Sequence, residues 1–168
     1  MNFLKVSFII VARNSAKYLP DIFLDIIEQD YPKDNVEIIL VDGLSNDKTL
    51  EMMKQFQTTN LERQIKIFQN PKKILAAGWN IALAESTGDV LLRVDAQSRI
   101  EKNFITKNVE NILHGEKIVG GATLSQMPTK KYQYIIALAE SSRFGAGAAS
   151  FRNLGQARYV DTIAYAAY

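Results

Sequence analysis

The chain has 168 residues, a net charge of +2 from 20 basic and 18 acidic side chains, 47% hydrophobic residues and no cysteine. A length of this order suits one domain or a large part of one, able to bury roughly 70% of its unfolded surface. The charge balance excludes a strongly basic nucleic-acid binder, and the missing cysteines exclude disulfides, thiolate metal sites and a cysteine nucleophile.

Residues 1–5 run straight into a strand pattern with no basic leader or cleavage site. No stretch reaches the roughly 18 apolar residues of a spanning helix. Together these predict a soluble, cytoplasmic chain. Val6–Ala12 is a continuous apolar run with β-branched residues, which predicts a strand buried on both faces, as in a parallel sheet. Arg13-Asn14-Ser15 breaks it. Leu19, Ile22, Phe23, Ile26 and Ile27 then recur at helical spacing until Tyr31-Pro32. Residues 36–41 predict a second buried strand, ending in Asp42-Gly43. Ser45, Asn46 and Asp47 offer capping chemistry to a helix carrying Leu50, Met53 and Phe56. Residues 64–68 predict a short third strand, and Asn70-Pro71 a turn. Leu75, Trp79 and Leu83 mark a helix face, with Gly88 as the stop. Residues 90–94 predict a fourth strand. Asn103 caps a helix bearing Phe104, Ile105, Val109 and Ile112, and residues 117–122 predict a fifth strand. Strands alternating with helices imply a doubly wound, mainly parallel α/β sheet. Further on, residues 132–140 read as helix and 144–150 as a loop of small residues. The apolar run 160–168 reads as an end that is cut rather than finished.

Three polar segments stand where predicted strands end: Ala12-Arg13-Asn14, Asp42-Gly43 and Asp95-Ala96-Gln97. In a parallel sheet these ends point the same way and converge on one crevice. Taken singly, each is explained by a polar residue opening a loop; three together, two with an aspartate after a β-branched run, favour a site. One aspartate can accept a nucleobase N–H, and the other can hold a divalent cation against a diphosphate, because hard cations share carboxylate, phosphate and water oxygens. Arg13, Arg93, Lys72 and Lys73 lie near the same loops and could meet phosphate charge, although Lys72-Lys73 reads first as solvated surface. The partial glycine pattern at 145–150 follows a helical stretch rather than a strand, so it is no dinucleotide fingerprint. No phosphate-binding Gly-x-x-x-x-Gly-Lys motif exists. His114, before Gly115, reads as a helix-end charge rather than a base.

Four segments carry a resemblance. Val6-Ser7-Phe8-Ile9-Ile10-Val11-Ala12-Arg13-Asn14, Val41-Asp42-Gly43-Leu44-Ser45-Asn46-Asp47, Ala76-Ala77-Gly78-Trp79-Asn80 and Arg93-Val94-Asp95-Ala96-Gln97-Ser98-Arg99 resemble, in order and spacing, those of family 2 glycosyltransferases. With Phe144-Gly145-Ala146-Gly147, Arg152 and Val160-Asp161-Thr162 downstream, the pattern is most similar to succinoglycan-type exopolysaccharide enzymes. The resemblance implies a Rossmann-like, glycosyltransferase A-type fold that binds a nucleotide sugar, usually a UDP-sugar. Ala12, Arg13 and Asn14 would line the nucleotide pocket, with Gly43 beside Asp42, which would bind the uracil. Ala77 and Asn80 would lie near the nucleoside. Asp95 would open the Asp-x-Asp motif, holding Mg²⁺ or Mn²⁺ and the diphosphate, with Arg93, Ala96 and Gln97 alongside.

Gln97 departs from that motif: an amide oxygen ligates with less charge, so the metal would lean on Asp95 and the nucleotide itself. The implied reaction is inverting transfer to a saccharide or lipid-linked saccharide hydroxyl in polysaccharide synthesis. The family's base comes from an acceptor-side acidic motif, expected beyond Tyr168; Asp161 matches a different position. Residues 1–122 are then the donor-binding core and 123–168 an incomplete acceptor-side region of a truncated chain. A lipid-linked acceptor leaves room for contact with the inner face of a membrane in the full-length form. Two other readings compete. One is a non-catalytic nucleotide-binding or assembly module, since no base is visible. The other, a dehydrogenase on a similar sheet, is disfavoured by the missing glycine fingerprint after the first strand.

Overall fold

A computed structural model describes residues 3–120, 134–135, 159 and 166–168. Two compact units divide the chain: Met1–Val119 with Ala166–Tyr168, and Gly120–Tyr165. Of the second unit only Gly120, Tyr134, Ile135 and Tyr159 are described, with Tyr134 and Ile135 helical. The loop expected at 144–150, the remainder of the helix expected at 132–140, and Arg152 and Asp161 lie outside the described residues.

The first unit follows the expected alternation: β1 (Val6–Ala12), α1 (Leu19–Ile27), β2 (Val36–Asp42), α2 (Thr49–Thr59), β3 (Gln64–Gln69), α3 (Leu75–Glu85), β4 (Val90–Arg93), α4 (Phe104–Leu113), β5 (Val119–Gly120) and β6 (Ala166–Ala167). The sheet order is β3-β2-β1-β4-β6-β5. β3, β2, β1 and β4 are mutually parallel, whereas β6 runs antiparallel to β4, pairing Leu92 with Ala167 and Arg93 with Ala166. Every residue of β1 and β2 is buried, which is why both read as largely apolar runs, broken only by Ser7 in β1 and by Glu37 and the terminal Asp42 in β2. Phe8, Ile10, Ile38, Leu40 and Leu92 pack with Leu19, Ile22, Phe23 and Ile26 of α1 on one side; Ile9, Val11, Ile39 and Val41 meet α3 on the other. Each such fully buried aliphatic side chain contributes about 1.5–3 kcal/mol.

Four local expectations are corrected. The buried face of α3 is Gly78 and Ala82, while Leu75 and Leu83 are exposed. A Cβ at Gly78 would lie 2.4 Å from Val11 Cγ1, so small residues let this helix press onto the sheet and its leucines turn outward. Gly88 is not the helix stop, because α3 ends at Glu85 with Ser86 extended. Gly88 is small because it lies against β1: an added Cβ would be 2.6 Å from the Ser7 N, and its own N–H donates to Ser7 Oγ. Asn103 occupies the position before α4 but makes no side-chain cap. The fifth strand covers only Val119–Gly120 of the six residues expected, with 121–122 outside the described residues.

At the amino ends of the strands, Glu37 is fully buried and accepts from Ser7 Oγ, Lys66 Nζ (2.9 Å), Thr87 N and Thr87 Oγ1. Burial alone would raise its pKa. The four donations outweigh that and bring it from 4.5 down to about 2. This knot joins β1, β2, β3 and the turn into β4 without any apolar contact.

Candidate nucleotide-binding site

The crevice lies at the opposite, carboxyl ends of the strands. The chain winds from β1 outward through β2 to β3 and then crosses back to place β4 on the other side of β1; that reversal of strand order is the switch point at which open α/β sheets bind ligands. Ala12 and Asp42 are register partners, and the Gly43 N–H donates to the Ala12 carbonyl at 2.8 Å. Asp42 is 1% exposed, and among the described residues its two carboxylate oxygens receive only the Ser45 N–H, at 3.3 and 3.2 Å. Those long contacts leave acceptor capacity that a base N–H can use.

The β1–α1 and β2–α2 loops are sewn together. Asn14 (φ 52°) donates its N–H to Ser45 Oγ at 2.9 Å and accepts the Asn46 N–H on Oδ1 at 2.9 Å. Ser15 N donates to Thr49 Oγ1, and Ala16 N to Asp47 Oδ2. Asp47 also accepts the Thr49 hydroxyl, which holds its carboxyl below the usual aspartate range. Leu44, with φ 52°, turns the second loop back toward the first. Arg13 is exposed, and its methylenes lie where a Cβ on Gly43 would fall, at 3.0 Å.

The loop before α3 is hung from the same strand. The Asn70 N–H donates to the Asp42 carbonyl at 2.8 Å, and its side-chain amide donates to the Ile74 carbonyl at 2.8 Å. Asn70 therefore relays the end of β2 to the start of α3, which carries half-buried Ala77 and exposed Asn80. Lys72 and Lys73 are exposed, as the surface reading expects.

On the β4 side, the Val94 N–H still donates to the Ile9 carbonyl, and the chain then turns with the Ser98 N–H on the Asp95 carbonyl. Asp95 is half-buried, and its carboxylate accepts no hydrogen bond among the described residues. Burial pushes its pKa up and the Arg93 charge opposes the rise. Ala96 is buried and Gln97 exposed. Among the described residues no cluster of three or more His, Cys, Asp or Glu stands together. One free carboxylate with an amide oxygen suits Mg²⁺ or Mn²⁺ sharing ligation with phosphate and water, not an all-protein cage.

Two participants escaped the sequence reading. Arg93 Cζ stands 4.9 Å from the Trp79 ring centre, so Trp79 is a platform for the site rather than part of a leucine face. Arg99 forms a two-point ion pair with buried Asp25 of α1, through Nε at 2.8 Å and Nη2 at 2.7 Å. The signal was present: Asp25 interrupts the apolar face made by Ile22, Phe23 and Ile26, and a carboxylate there needs a partner.

A family model described as glycosyl transferase family 2 matches residues 7–163. The chain belongs to this family. It is 36% identical over 110 residues to a dolichyl N-acetyl-α-D-glucosaminyl phosphate 3-β-D-2,3-diacetamido-2,3-dideoxy-β-D-glucuronosyltransferase of Methanococcus voltae, covering 66% of this chain and 34% of the relative. It is 30% identical over 104 residues to the poly(ribitol-phosphate) β-N-acetylglucosaminyltransferase TarS of Staphylococcus aureus, covering 61% of this chain and 18% of TarS. The chain thus spans about a third or less of these two relatives. In fold, it is similar to the crystal structure of S. aureus TarS 1–349 (24% identity, TM-score 0.67, 76% of this chain and 38% of that one). It is also similar to the mannosyltransferase PcManGT of Pyrobaculum calidifontis in complex with GDP-Man and Mn²⁺ (23% identity, TM-score 0.64, 77% and 38%). The mainly parallel sheet is the glycosyltransferase A-type fold expected of family 2.

Proposed function

We propose that residues 1–122 form the donor-binding core of a glycosyltransferase that transfers a sugar, with inversion, from a UDP-sugar to a saccharide or lipid-linked saccharide hydroxyl in cell-surface polysaccharide synthesis. In this reading, residues 123–168 begin the acceptor side. The observation that carries it is the pairing of Ala12 with Asp42 beside the switch point, with Asp95 across β1. The relatives named above, whose names describe sugar transfer, support the same reading.

Asp42 accepts the uracil N–H, its carboxylate being held by a single backbone donor. Arg13 and Asn14 border the nucleoside on the β1 side, with Gly43 letting the arginine lie close; Ala77 and Asn80 border it on the α3 side. Asp95 and the Gln97 amide oxygen would hold Mg²⁺ or Mn²⁺, which when bound supplies charge neutralisation to the departing diphosphate. Asp95 has to be ionised for that role; burial raises its pKa and the Arg93 charge opposes the rise. The acceptor-side base is assigned to no residue here. Among the described residues no helix is long and apolar enough to cross a membrane. We place the reaction at the cytoplasmic face, where a lipid-linked acceptor would meet the site.

Calorimetric titration of the folded chain with UDP and UDP-glucose, with and without Mn²⁺, tests the reading. Saturable binding that Mn²⁺ strengthens is expected; no heat in any of the four titrations overturns it.

A further inference from the structure

Arg93 is an unusual residue to end a core strand. Its neighbours in register are Ile9 of β1 and Ala166 of β6, both apolar. Its Nε is buried without a hydrogen-bond partner, and it forms no ion pair among the described residues. The other strand-borne cation, Lys66 of β3, is fully engaged with Glu37. Arg93 instead stacks over Trp79, whose own Nε1 is also buried without a partner. Stacking orients a guanidinium while leaving its in-plane N–H groups free, and those groups match the oxygens of a phosphate. A buried donor left unmet keeps its desolvation cost without return, so the arrangement favours an incoming acceptor. Two residues further along lies Asp95, and after it Gln97, where one negative charge fewer draws a divalent cation less strongly.

We propose that Arg93, shelved on Trp79, binds an oxygen of the donor diphosphate directly, so that part of the site's affinity for a nucleoside diphosphate needs no metal. This rests on the donor-site reading above and gives the diphosphate a fixed positive charge where Gln97 weakens the hold on a cation.

Trp79 is the only tryptophan of the chain, so its fluorescence reports on the surroundings of the Arg93–Trp79 pair. The protein is titrated in EDTA with uridine, UDP and inorganic pyrophosphate at constant ionic strength. Saturable emission changes are expected with UDP and with pyrophosphate, which carries no base to touch α3. Calorimetry of Arg93→Gln in EDTA should then show uridine affinity unchanged and UDP affinity reduced by about tenfold or more, the size of a charge-assisted hydrogen bond. Arg93→Lys, which keeps the charge without the fork, should recover part of the loss. UDP binding that is wholly metal-dependent, or Arg93→Gln weakening uridine and UDP equally, overturns the proposal while leaving the donor site standing. If the wild-type chain binds neither uridine nor UDP with or without Mn²⁺, both fall. The wild-type fluorescence series decides the matter even where a variant fails to fold.

Discussion

Arg99 grips Asp25 at two points, and the same carboxylate also accepts the Ile100 N–H at 3.0 Å, so helix α1 is bolted to the turn that presents Asp95. Asp25 is buried while half of the Arg99 side chain is in water. The bond raises the pKa of Arg99, which stays charged at every accessible pH. Removing the arginine strands a buried carboxylate on one backbone donor.

Arg99→Ala should therefore lower the stability of the protein, because it leaves buried Asp25 with the Ile100 N–H as its one donor. Arg99→Lys should recover less than half, because an ammonium cannot match the two oxygens. Urea unfolding midpoints measure both; equal midpoints for wild type and Arg99→Ala would show the pair to be idle.

Asp42→Ala should weaken UDP binding with and without Mn²⁺, whereas Asp95→Ala should chiefly abolish the gain that Mn²⁺ gives. Calorimetry of both variants reads the split. Identical loss patterns would contradict separate roles for the two aspartates.

Acid should act through Glu37. Its folded pKa, about 2, lies below the ordinary 4.5, so its contribution is fully present above about pH 4.5 and fades as pH falls through 2. The span corresponds to roughly 3 kcal/mol. Glu37→Gln should flatten the pH dependence of the thermal midpoint in that window while lowering stability at neutral pH. An unchanged slope between pH 5 and 2 (values chosen to bracket about two to three pKa units) would reject the assignment.

Gly78→Ala should cost about 1–3 kcal/mol by overpacking against Val11. Since α3 must lift to make room, Asn80 and Trp79 move with it, and Trp79 emission should shift. Denaturant titration followed by fluorescence checks both effects; a neutral substitution would mean the helix has slack.

The strands and the site ends were legible because β1 and β2 are buried on both faces, and a strand so buried has only one kind of sequence. Asp42 stood out for the same reason, as a charge at the end of an apolar run. The face of α3 was misread because hydrophobic spacing assumes that large residues point inward; close approach reverses this, and Gly78 and Ala82 carry no size signal. Arg99 with Asp25, like Glu37 with Ser7, Lys66 and Thr87, joins residues at least 29 positions apart in the chain. Such pairings follow from sheet order, which local patterns do not encode. Asn14 and Leu44, the left-handed pair that turns the loops together, are invisible to periodicity altogether.

The Glu37 knot has a consequence for the whole sheet. Every oxygen it offers is already matched by a donor, so the amino ends of the strands are chemically saturated and indifferent to solutes. Toward the carboxyl ends the reverse holds among the described residues: the Asp95 carboxylate accepts no hydrogen bond, and buried donors on Arg93 and Trp79 have no partner. The unmet hydrogen-bonding capacity of the described sheet thus lies toward its carboxyl edge, the side on which a bound ligand would complete what the fold leaves unfinished.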